Sequence, residues 1–294
     1  MKERDYLLKI IDNDKNIRVF LARTTSLVEE AHQRHCTSAT ASAALGRVMT
    51  AAVMMGGDLK GQEDILTLRV NGNGVAGTVL ATADSHGSVR GLISNPYADL
   101  PSSSPGKLAV GELVGTDGYL EVIKDLGLKQ PFTGKVALVS GEIAEDLAQY
   151  FAMSEQIPSL VALGVLVNTD LSIQTAGGLF VQALPGARDE SLEIIENNIM
   201  NMGPISAVLN RYDSLEDILP ILMKELQYTV VGEQDLSFRC NCSKERMLNV
   251  LSSLSDDDLG GSLGDEELEV VCNQCRQRYT FDGQEIAALR KAKP

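Results

Sequence analysis

The chain has 294 residues, enough for two domains, and because 44% of them are hydrophobic the protein can bury a substantial core. Its net charge of −14 gives a surface that repels phosphate backbones and anionic lipids, which argues against nucleic acid and membranes as partners. No targeting signal is visible, and the longest apolar run, residues 157–167, is far shorter than a bilayer span, so we expect a cytoplasmic protein whose cysteines stay reduced.

In the first part of the chain, strand patterns are grouped together and do not alternate with helices. This arrangement predicts an antiparallel, β-rich α+β core domain with helices over residues 1–185. Residues 5–22 predict two strands joined by a polar turn, and Ser26 with Glu29 forms a capping-box pattern that predicts the start of a helix. Residues 71–74 predict a hairpin turn, because asparagine and glycine tolerate positive φ. The other elements predicted here are a buried helix at 40–55, a helix at 142–151, and strands at 65–70, 75–82, 88–94, 119–123, 135–139, 160–167 and 179–184.

The chain then changes to a helical pattern, and we predict a helical linker region over residues 186–234. One helix is predicted at residues 189–202, a second begins near Pro204, and a third is capped by Ser214. Pro220 must bend or end this third helix. Because the segment is only moderately apolar and is interrupted twice, we expect its stability to depend on docking against another part of the protein.

Four of the five cysteines lie in the predicted third domain, residues 235–294. They form two short pairs, Cys240 with Cys242 and Cys272 with Cys275. Four thiolates from two such pairs suit a tetrahedral Zn²⁺ ion. We therefore predict a small Cys₄ zinc-binding domain in which these four residues hold one Zn²⁺ in the reduced state.

The segments around these cysteines predict a small, weakly cored domain. Ser243 predicts the start of a helix that extends to Leu251, and residues 269–271 and 278–281 predict two strands of a hairpin around the second pair. A domain of about 60 residues has a marginal core, whereas structural zinc supplies an apparent ~10–16 kcal/mol of folding free energy. Loss of the metal should therefore unfold the domain.

The four thiols can also be oxidised, and a disulfide offers zinc no thiolate. Bonding within each pair closes the shortest loops, but four cysteines allow three pairings, so the spacing leaves the choice open. A disulfide within the C-x-C pair is tight and should be readily reduced, which suits a reversible redox switch. A purely structural zinc that never leaves is the alternative on spacing alone.

The other candidate residues favour ordinary structural roles. Cys36 is predicted to be a small buried apolar residue, and His32 and His35 are predicted to be surface histidines. Three methionines are predicted to belong to the core: Met49, Met54 and Met55. No P-loop, G-x-S-x-G or H-E-x-x-H motif and no nucleophile–base pair is evident, so we expect neither an enzyme with catalytic residues nor a nucleotide-binding protein.

At its cysteine motifs the chain resembles the redox-regulated 33 kDa chaperonins, a family of heat-shock holdases, and the resemblance extends over the full length. The order Cys240-x-Cys242 followed by Cys272-x-x-Cys275 matches the zinc motif of that family without departure. The segments that carry the resemblance are residues 238–246, 272–281, 141–146, 150–159 and 176–178. The motif around the cysteines is highly specific. The segments before residue 185 are recognised by similarity alone, and their residues indicate no particular chemistry.

The resemblance implies a redox switch. In the reduced state the four cysteines would hold zinc in a quiescent monomer. Oxidants would form the disulfides Cys240–Cys242 and Cys272–Cys275 and release the metal. The zinc domain would then unfold and the helical linker would lose its support. The activated protein would dimerise and bind unfolded or partly folded client proteins without ATP during oxidative and heat stress.

Two other functions remain open. The chain could be a thiol–disulfide oxidoreductase that uses Cys272 and Cys275, although such enzymes place C-x-x-C at a helix N-terminus and the residues after Cys275 predict a strand. It could also be a zinc-ribbon adaptor for nucleic acid or another protein, although its pI of about 4.7 disfavours nucleic acid.

Overall fold

The structure is a computed structural model that describes residues 4–102, 106–251, 253–254 and 267–285. The chain divides into two compact units, residues 1–239 and residues 240–294. The strands of the first unit are β1 (Tyr6–Asp12), β2 (Ile17–Arg23), β3 (Ile65–Asn71), β4 (Thr78–Asp84), β5 (Ser88–Ile93), β6 (Tyr119–Asp125), β7 (Phe132–Ala137), β8 (Ser159–Val167), β9 (Ile173–Ala183), β10 (Tyr228–Asp235) and β11 (Ser237–Phe238). Its helices are α1 (Thr25–His35), α2 (Ala39–Gly56), α3 (Val110–Val114), α4 (Ala144–Tyr150), α5 (Asp189–Met202), α6 (Ile205–Arg211) and α7 (Leu219–Leu222), with a π-helical turn at Phe151–Glu155 and a 3₁₀ turn at Glu216–Ile218.

Two sheets form the framework of the first unit. The five-stranded sheet has the order β10-β1-β2-β9-β8, and its neighbouring strands are antiparallel. The six-stranded sheet has the order β11-β5-β4-β3-β6-β7, in which the two-residue β11 runs parallel to β5. The predicted α+β fold with antiparallel sheets is therefore confirmed.

Helix α2 packs against strands of both sheets and forms the centre of the larger core. Alanine, valine and methionine cover almost every side of this helix, so it has no face suited to water. The predicted buried helix is confirmed, and Met49, Met54 and Met55 lie in the core as predicted. Among the helices that the structure describes, none combines the length and the apolar character needed to cross a membrane.

The other face of the five-stranded sheet is covered by helices α5 to α7. Because side chains alternate along a strand, Leu7 of β1 joins the α2 core and Leu8 joins a second core with Ile195, Val208 and Leu222 of these helices. The predicted helix at 189–202 is confirmed as α5. The sequence did not predict β10, which pairs with β1 after the helices. The role of residues 186–234 as a separate region stays a prediction.

The start of α1 differs from the predicted capping box. The helix begins at Thr25, so Ser26 lies within its first turn. The carboxylate of Asp5 instead accepts hydrogen bonds from the backbone N–H groups of Ser26 and Leu27, at 3.0 and 2.6 Å. A residue distant in sequence thus satisfies N–H groups of the first turn, which a local pattern cannot reveal.

The loop between β3 and β4 needs its glycines for space. The predicted hairpin is present, but the positive φ occurs at Gly77 (φ 65°) and not within residues 71–74. A Cβ atom on Gly72 would lie 2.2 Å from the carbonyl oxygen of Val114, and one on Gly74 would lie 2.3 Å from that of Leu113. The end of α3 therefore packs directly on this loop.

The second unit contains α8 (Lys244–Leu251), β12 (Leu268–Val271) and β13 (Arg278–Phe281). Ser243 Oγ accepts a hydrogen bond from the N–H of Arg246 at 3.2 Å and begins α8, as predicted. The two strands form the predicted antiparallel hairpin. In the described part of this unit, Leu251 and Phe281 are the buried members of a hydrophobic cluster, so the core is small.

Candidate metal centre

Four cysteine side chains converge in the second unit. Cys240 and Cys242 precede α8, whereas Cys272 and Cys275 lie in the turn between β12 and β13. In this turn the N–H of Arg276 donates to the carbonyl of Cys272 at 2.8 Å, and Arg276 adopts a left-handed backbone (φ 59°). The second pair is buried, with 7% and 3% of the two residues exposed, and the first pair is half-buried.

The geometry of the four sulfurs fits a tetrahedral metal ion. All four Sγ atoms lie within 4.8 Å of one another. The sulfurs of Cys240 and Cys272 are 3.9 Å apart, and those of Cys242 and Cys275 are 3.3 Å apart. Zn–S bonds of about 2.3 Å place tetrahedral ligands about 3.8 Å apart, so small shifts of these sulfurs would let them surround one ion. None of the four cysteines forms a disulfide in this structure. The fold thus brings the predicted ligand set together, and zinc binding itself stays a prediction.

The thiols differ in how readily they ionise. Burial raises the pKa of Cys275 well above its usual range, and burial also raises the pKa of Cys240. Burial opposes ionisation of Cys242 as well, but hydrogen bonds from Tyr279 and Cys275 outweigh it and lower the pKa of Cys242. Cys242 therefore ionises more readily than Cys240 and Cys275.

The surroundings of Cys272 and Cys275 differ from those of a catalytic dithiol. Oxidoreductases place C-x-x-C at the N-terminus of a helix, which stabilises the thiolate. Here the pair is followed by β13, as predicted, and the pKa of Cys275 is raised by burial. The arrangement favours metal binding over catalysis of thiol–disulfide exchange.

The structure corrects the predictions for Cys36 and for the histidines. Cys36 is exposed and not buried, because it ends α1 in a left-handed conformation (φ 51°). His35 is buried and not on the surface. His32 is half-buried, and its Nδ1 lies 3.1 Å from the hydroxyl groups of both Thr37 and Ser42. In the described ranges neither histidine belongs to a cluster of metal-ligating side chains.

Residues 141–146, one of the segments that carry the family resemblance, contain a hydrogen-bonded carboxylate whose role the sequence did not reveal. The buried carboxylate of Asp146 accepts backbone hydrogen bonds from Val139, Ser140 and Gly141 on Oδ1, at 2.6, 3.0 and 3.3 Å. It also accepts the N–H of Ile143 on Oδ2 at 2.8 Å. These bonds hold Ile143 at φ 75°, a conformation that is rare for a β-branched residue. The sequence signal that could have indicated this role is the position of Asp146, an acidic residue in the first turn of the short helix α4.

A second contact that sequence reasoning missed joins β1 to the helical segment. The hydroxyl of Tyr6 donates to Glu216 Oε2 and accepts the N–H of Leu215, both at 2.7 Å. Within the segment, Asn198 Nδ2 donates to the carbonyl of Leu222 at 3.1 Å, which ties α5 to α7. Tyr6 and Glu216 are 210 residues apart, so no local pattern indicates their contact.

The chain is similar to named proteins along nearly its whole length. Residues 5–282 match the family model described as Hsp33 protein. The chain is 46% identical over 289 residues to a 33 kDa chaperonin of Desulforamulus reducens, with 98% of each chain covered. It is 44% identical over 287 residues to a 33 kDa chaperonin of Bacillus cereus strain B4264, covering 97% of this chain and 98% of the relative. The crystal structure of a 33 kDa chaperonin (heat shock protein 33 homolog) from Thermotoga maritima matches with a TM-score of 0.90 and 36% identity over 99% of both chains. The similarity inferred from the cysteine motifs is therefore confirmed.

Proposed function

Because the chain belongs to the Hsp33 protein family, we propose that it is a chaperone that holds unfolding proteins without ATP and is activated by oxidation. The observation that carries the proposal is the convergence of four cysteine sulfurs within 4.8 Å of one another. The names of its relatives support chaperone activity. We place the protein in the cytoplasm, where thiols remain reduced until oxidative or heat stress.

In the reduced state, Cys240, Cys242, Cys272 and Cys275 provide four thiolate donors for one Zn²⁺. When bound, zinc supplies a cross-link between the two cysteine pairs, worth an apparent ~10–16 kcal/mol of folding free energy. Hydrogen bonds lower the pKa of Cys242, which favours one of the deprotonated sulfurs that this donor set requires.

Oxidation removes the donor set. In each pair, two thiolates lose two electrons, and one molecule of hydrogen peroxide accepts these electrons together with two protons from the solvent and becomes two water molecules. We propose the disulfides Cys240–Cys242 and Cys272–Cys275, which the resemblance to the family implies and which also close the shortest loops. A bond between the pairs is also within geometric reach, since the sulfurs of Cys242 and Cys275 are 3.3 Å apart. Mass-spectrometric mapping of the disulfides distinguishes the pairings.

The described part of the second unit has a small apolar core. Its buried members are Leu251 and Phe281, and partly buried side chains pack against them. Burying two such side chains contributes about 3–6 kcal/mol, which is less than the apparent contribution of structural zinc. We therefore expect this unit to unfold when its cysteines are oxidised.

Client binding then requires apolar surface from the first unit. Helices α5 to α7 cover a sheet face whose buried side chains are Leu8, Ile10, Val19, Leu21, Leu179 and Val181. We propose that the docking of these helices weakens in the oxidised state, so that the sheet face becomes accessible to unfolding proteins. The same exposed surface favours the homodimer that we propose for the oxidised state. Binding by apolar contact requires no nucleotide.

Metal content, thiol count and holdase activity, measured together, test the proposal. The reduced, zinc-loaded protein is treated with hydrogen peroxide at a heat-stress temperature and then assayed for suppression of client aggregation. We expect release of zinc, loss of the clustered thiols and a gain of activity, all reversed by a reductant. Cys36→Ser is the control, because that thiol is exposed and lies outside the cluster. If the oxidised, zinc-free protein suppresses aggregation no better than the reduced protein, the proposal is wrong.

A further inference from the structure

Tyr279 contributes a hydroxyl group to the cysteine cluster. It lies on β13 opposite Val270 of β12, and the alternation of side chains places it on the same face of the strand as the buried Phe281. Its hydroxyl donates a hydrogen bond to Sγ of Cys242 at 3.2 Å. The aromatic ring packs against the Leu251–Phe281 cluster, so packing holds the hydroxyl in position.

The hydrogen bond has a defined direction. A thiolate sulfur accepts hydrogen bonds and cannot donate them, so the Tyr279 hydroxyl is the donor. Because this donor is a side-chain group, a substitution can remove it.

A hydrogen bond to a thiolate stabilises the charged sulfur and orients it toward the metal. It also offsets part of the negative charge that four thiolates concentrate in one site. We propose that Tyr279 is a positioning residue for this site, and that by fixing and shielding the sulfur of Cys242 it sets how tightly zinc is retained and how readily peroxide oxidises the cluster. This inference rests on the proposed function, because it concerns how readily the cysteine cluster of the same redox switch is oxidised.

Shielding affects oxidation because the reaction begins at a sulfur lone pair. The Cys242 thiolate attacks one oxygen of hydrogen peroxide, the O–O bond breaks and hydroxide leaves. The sulfenic acid that forms then condenses with the thiol of Cys240, which gives the disulfide and one water molecule. The hydroxyl of Tyr279 occupies a lone pair of this sulfur and lowers its nucleophilicity, so loss of the hydroxyl accelerates the first step.

Tyr279→Phe removes the hydroxyl and retains the ring. Thr280→Val is the matched control, because it replaces a hydroxyl at the next position of the same strand, where the side chain is exposed. The zinc affinity of each reduced full-length protein is measured by competition with a chromogenic chelator, and hydrogen exchange of the hairpin reports folding. We expect Y279F to bind zinc about 10-fold more weakly and to release it several-fold faster in peroxide, whereas T280V matches the unsubstituted protein.

Cobalt(II) loaded in place of zinc gives a readout that a general loss of packing would not reproduce. Loss of the hydrogen bond makes the Cys242 sulfur more electron-rich, so the sulfur-to-cobalt charge-transfer band of Y279F should move to lower energy. The ligand-field bands, which report tetrahedral coordination, should not move. A 3-fluorotyrosine at position 279 has a more acidic hydroxyl and should move the charge-transfer band in the opposite direction, which also provides a test if Y279F fails to fold.

The outcomes separate this inference from the proposed function. If Y279F is folded, binds zinc as tightly as the unsubstituted protein and has an unshifted charge-transfer band, the role of Tyr279 is refuted and the redox switch stands. An unshifted band in the 3-fluorotyrosine protein would also overturn the role. If the unsubstituted protein neither binds zinc nor gains activity on oxidation, both proposals are wrong.

Discussion

Removal of zinc under reducing conditions should unfold the hairpin of β12 and β13 in the second unit and leave the core of the first unit folded. The perturbation is a strong zinc chelator added to the zinc-loaded protein together with a thiol reductant. Because no disulfide can form in this mixture, the effect of losing the metal is separated from the effect of oxidation. The four cysteines remain reduced throughout, and protonation of their thiolates replaces metal ligation.

The expected magnitude follows from the size of the two cores. The second unit buries Leu251 and Phe281 in its described part, which contributes about 3–6 kcal/mol. Structural zinc contributes an apparent ~10–16 kcal/mol, so the loss on its removal exceeds what these two side chains provide. The first unit contains none of the four clustered cysteines and has an extensive core around α2. The loss of stability should therefore be confined to the second unit.

Amide hydrogen exchange measures this difference residue by residue. The N–H of Cys272 donates to the carbonyl of Gln277 at 2.9 Å and reports the hairpin, while the N–H of Thr24 donates to the carbonyl of Ala176 at 2.8 Å and reports the first unit. Chelation should bring the Cys272 amide close to the exchange rate of an unfolded chain and leave the Thr24 amide protected. A hairpin that stays protected without metal would refute the reasoning, because the small core would then suffice for folding.

Three substitutions in the first unit test its internal contacts. Tyr6→Phe removes the two hydrogen bonds from β1 to the helical segment and should lower the free energy of unfolding by about 1–3 kcal/mol in urea denaturation; an unchanged value would show that these bonds add no net stability. Asp146→Asn replaces the charged acceptor of four backbone N–H groups and should lower that free energy by about 2–3 kcal/mol, with a lower melting temperature in calorimetry as the check; an equal melting temperature would contradict the role of the charge. For Glu142, burial opposes ionisation, but the hydrogen bond and charge of Arg47, followed by those of Lys107, outweigh it and lower the pKa from 4.5. Because this pKa is lower in the folded state, the carboxylate stabilises the protein fully above about pH 4.5 and the stabilisation is lost as the pH falls through the folded pKa. The stability difference between the unsubstituted protein and Glu142→Gln should therefore be constant above that pH and shrink below it, and a difference that persists undiminished at about pH 3 would contradict the assignment.

Elements with a complete local signal were predictable. Helix α2 is apolar on nearly all sides, so burial between two sheets was its expected environment. Helix α8 has a serine that caps its first turn, and β13 alternates exposed and buried residues beside the second cysteine pair. In each of these elements the residues that determine the conformation lie within a few positions of one another, so the pattern can be recognised without the fold.

Elements that depend on distant partners were missed or misassigned. Strand β10 is an edge strand with mostly exposed side chains, so it lacks the apolar alternation of a half-buried strand. Helix α1 is capped by Asp5, and the loop at Gly72 is shaped by the carbonyl groups of α3. Cys36 is exposed because α1 ends there in a left-handed conformation, whereas the usual preference of cysteine is for burial.

The chemistry of the candidate site can be inferred from the order of residues along the chain, because the type of ligand and the spacing within each short pair are local properties. The amino-acid sequence therefore indicated sulfur ligands for one metal ion, and it indicated the family to which the chain belongs. Folding was needed to bring the first pair beside the second across residues 243–271 and to place the hydroxyl of Tyr279 on Cys242. Folding was also needed to assemble the apolar sheet face under α5 to α7. Contacts between distant segments depend on the packing of whole elements, and no short stretch of sequence contains that information.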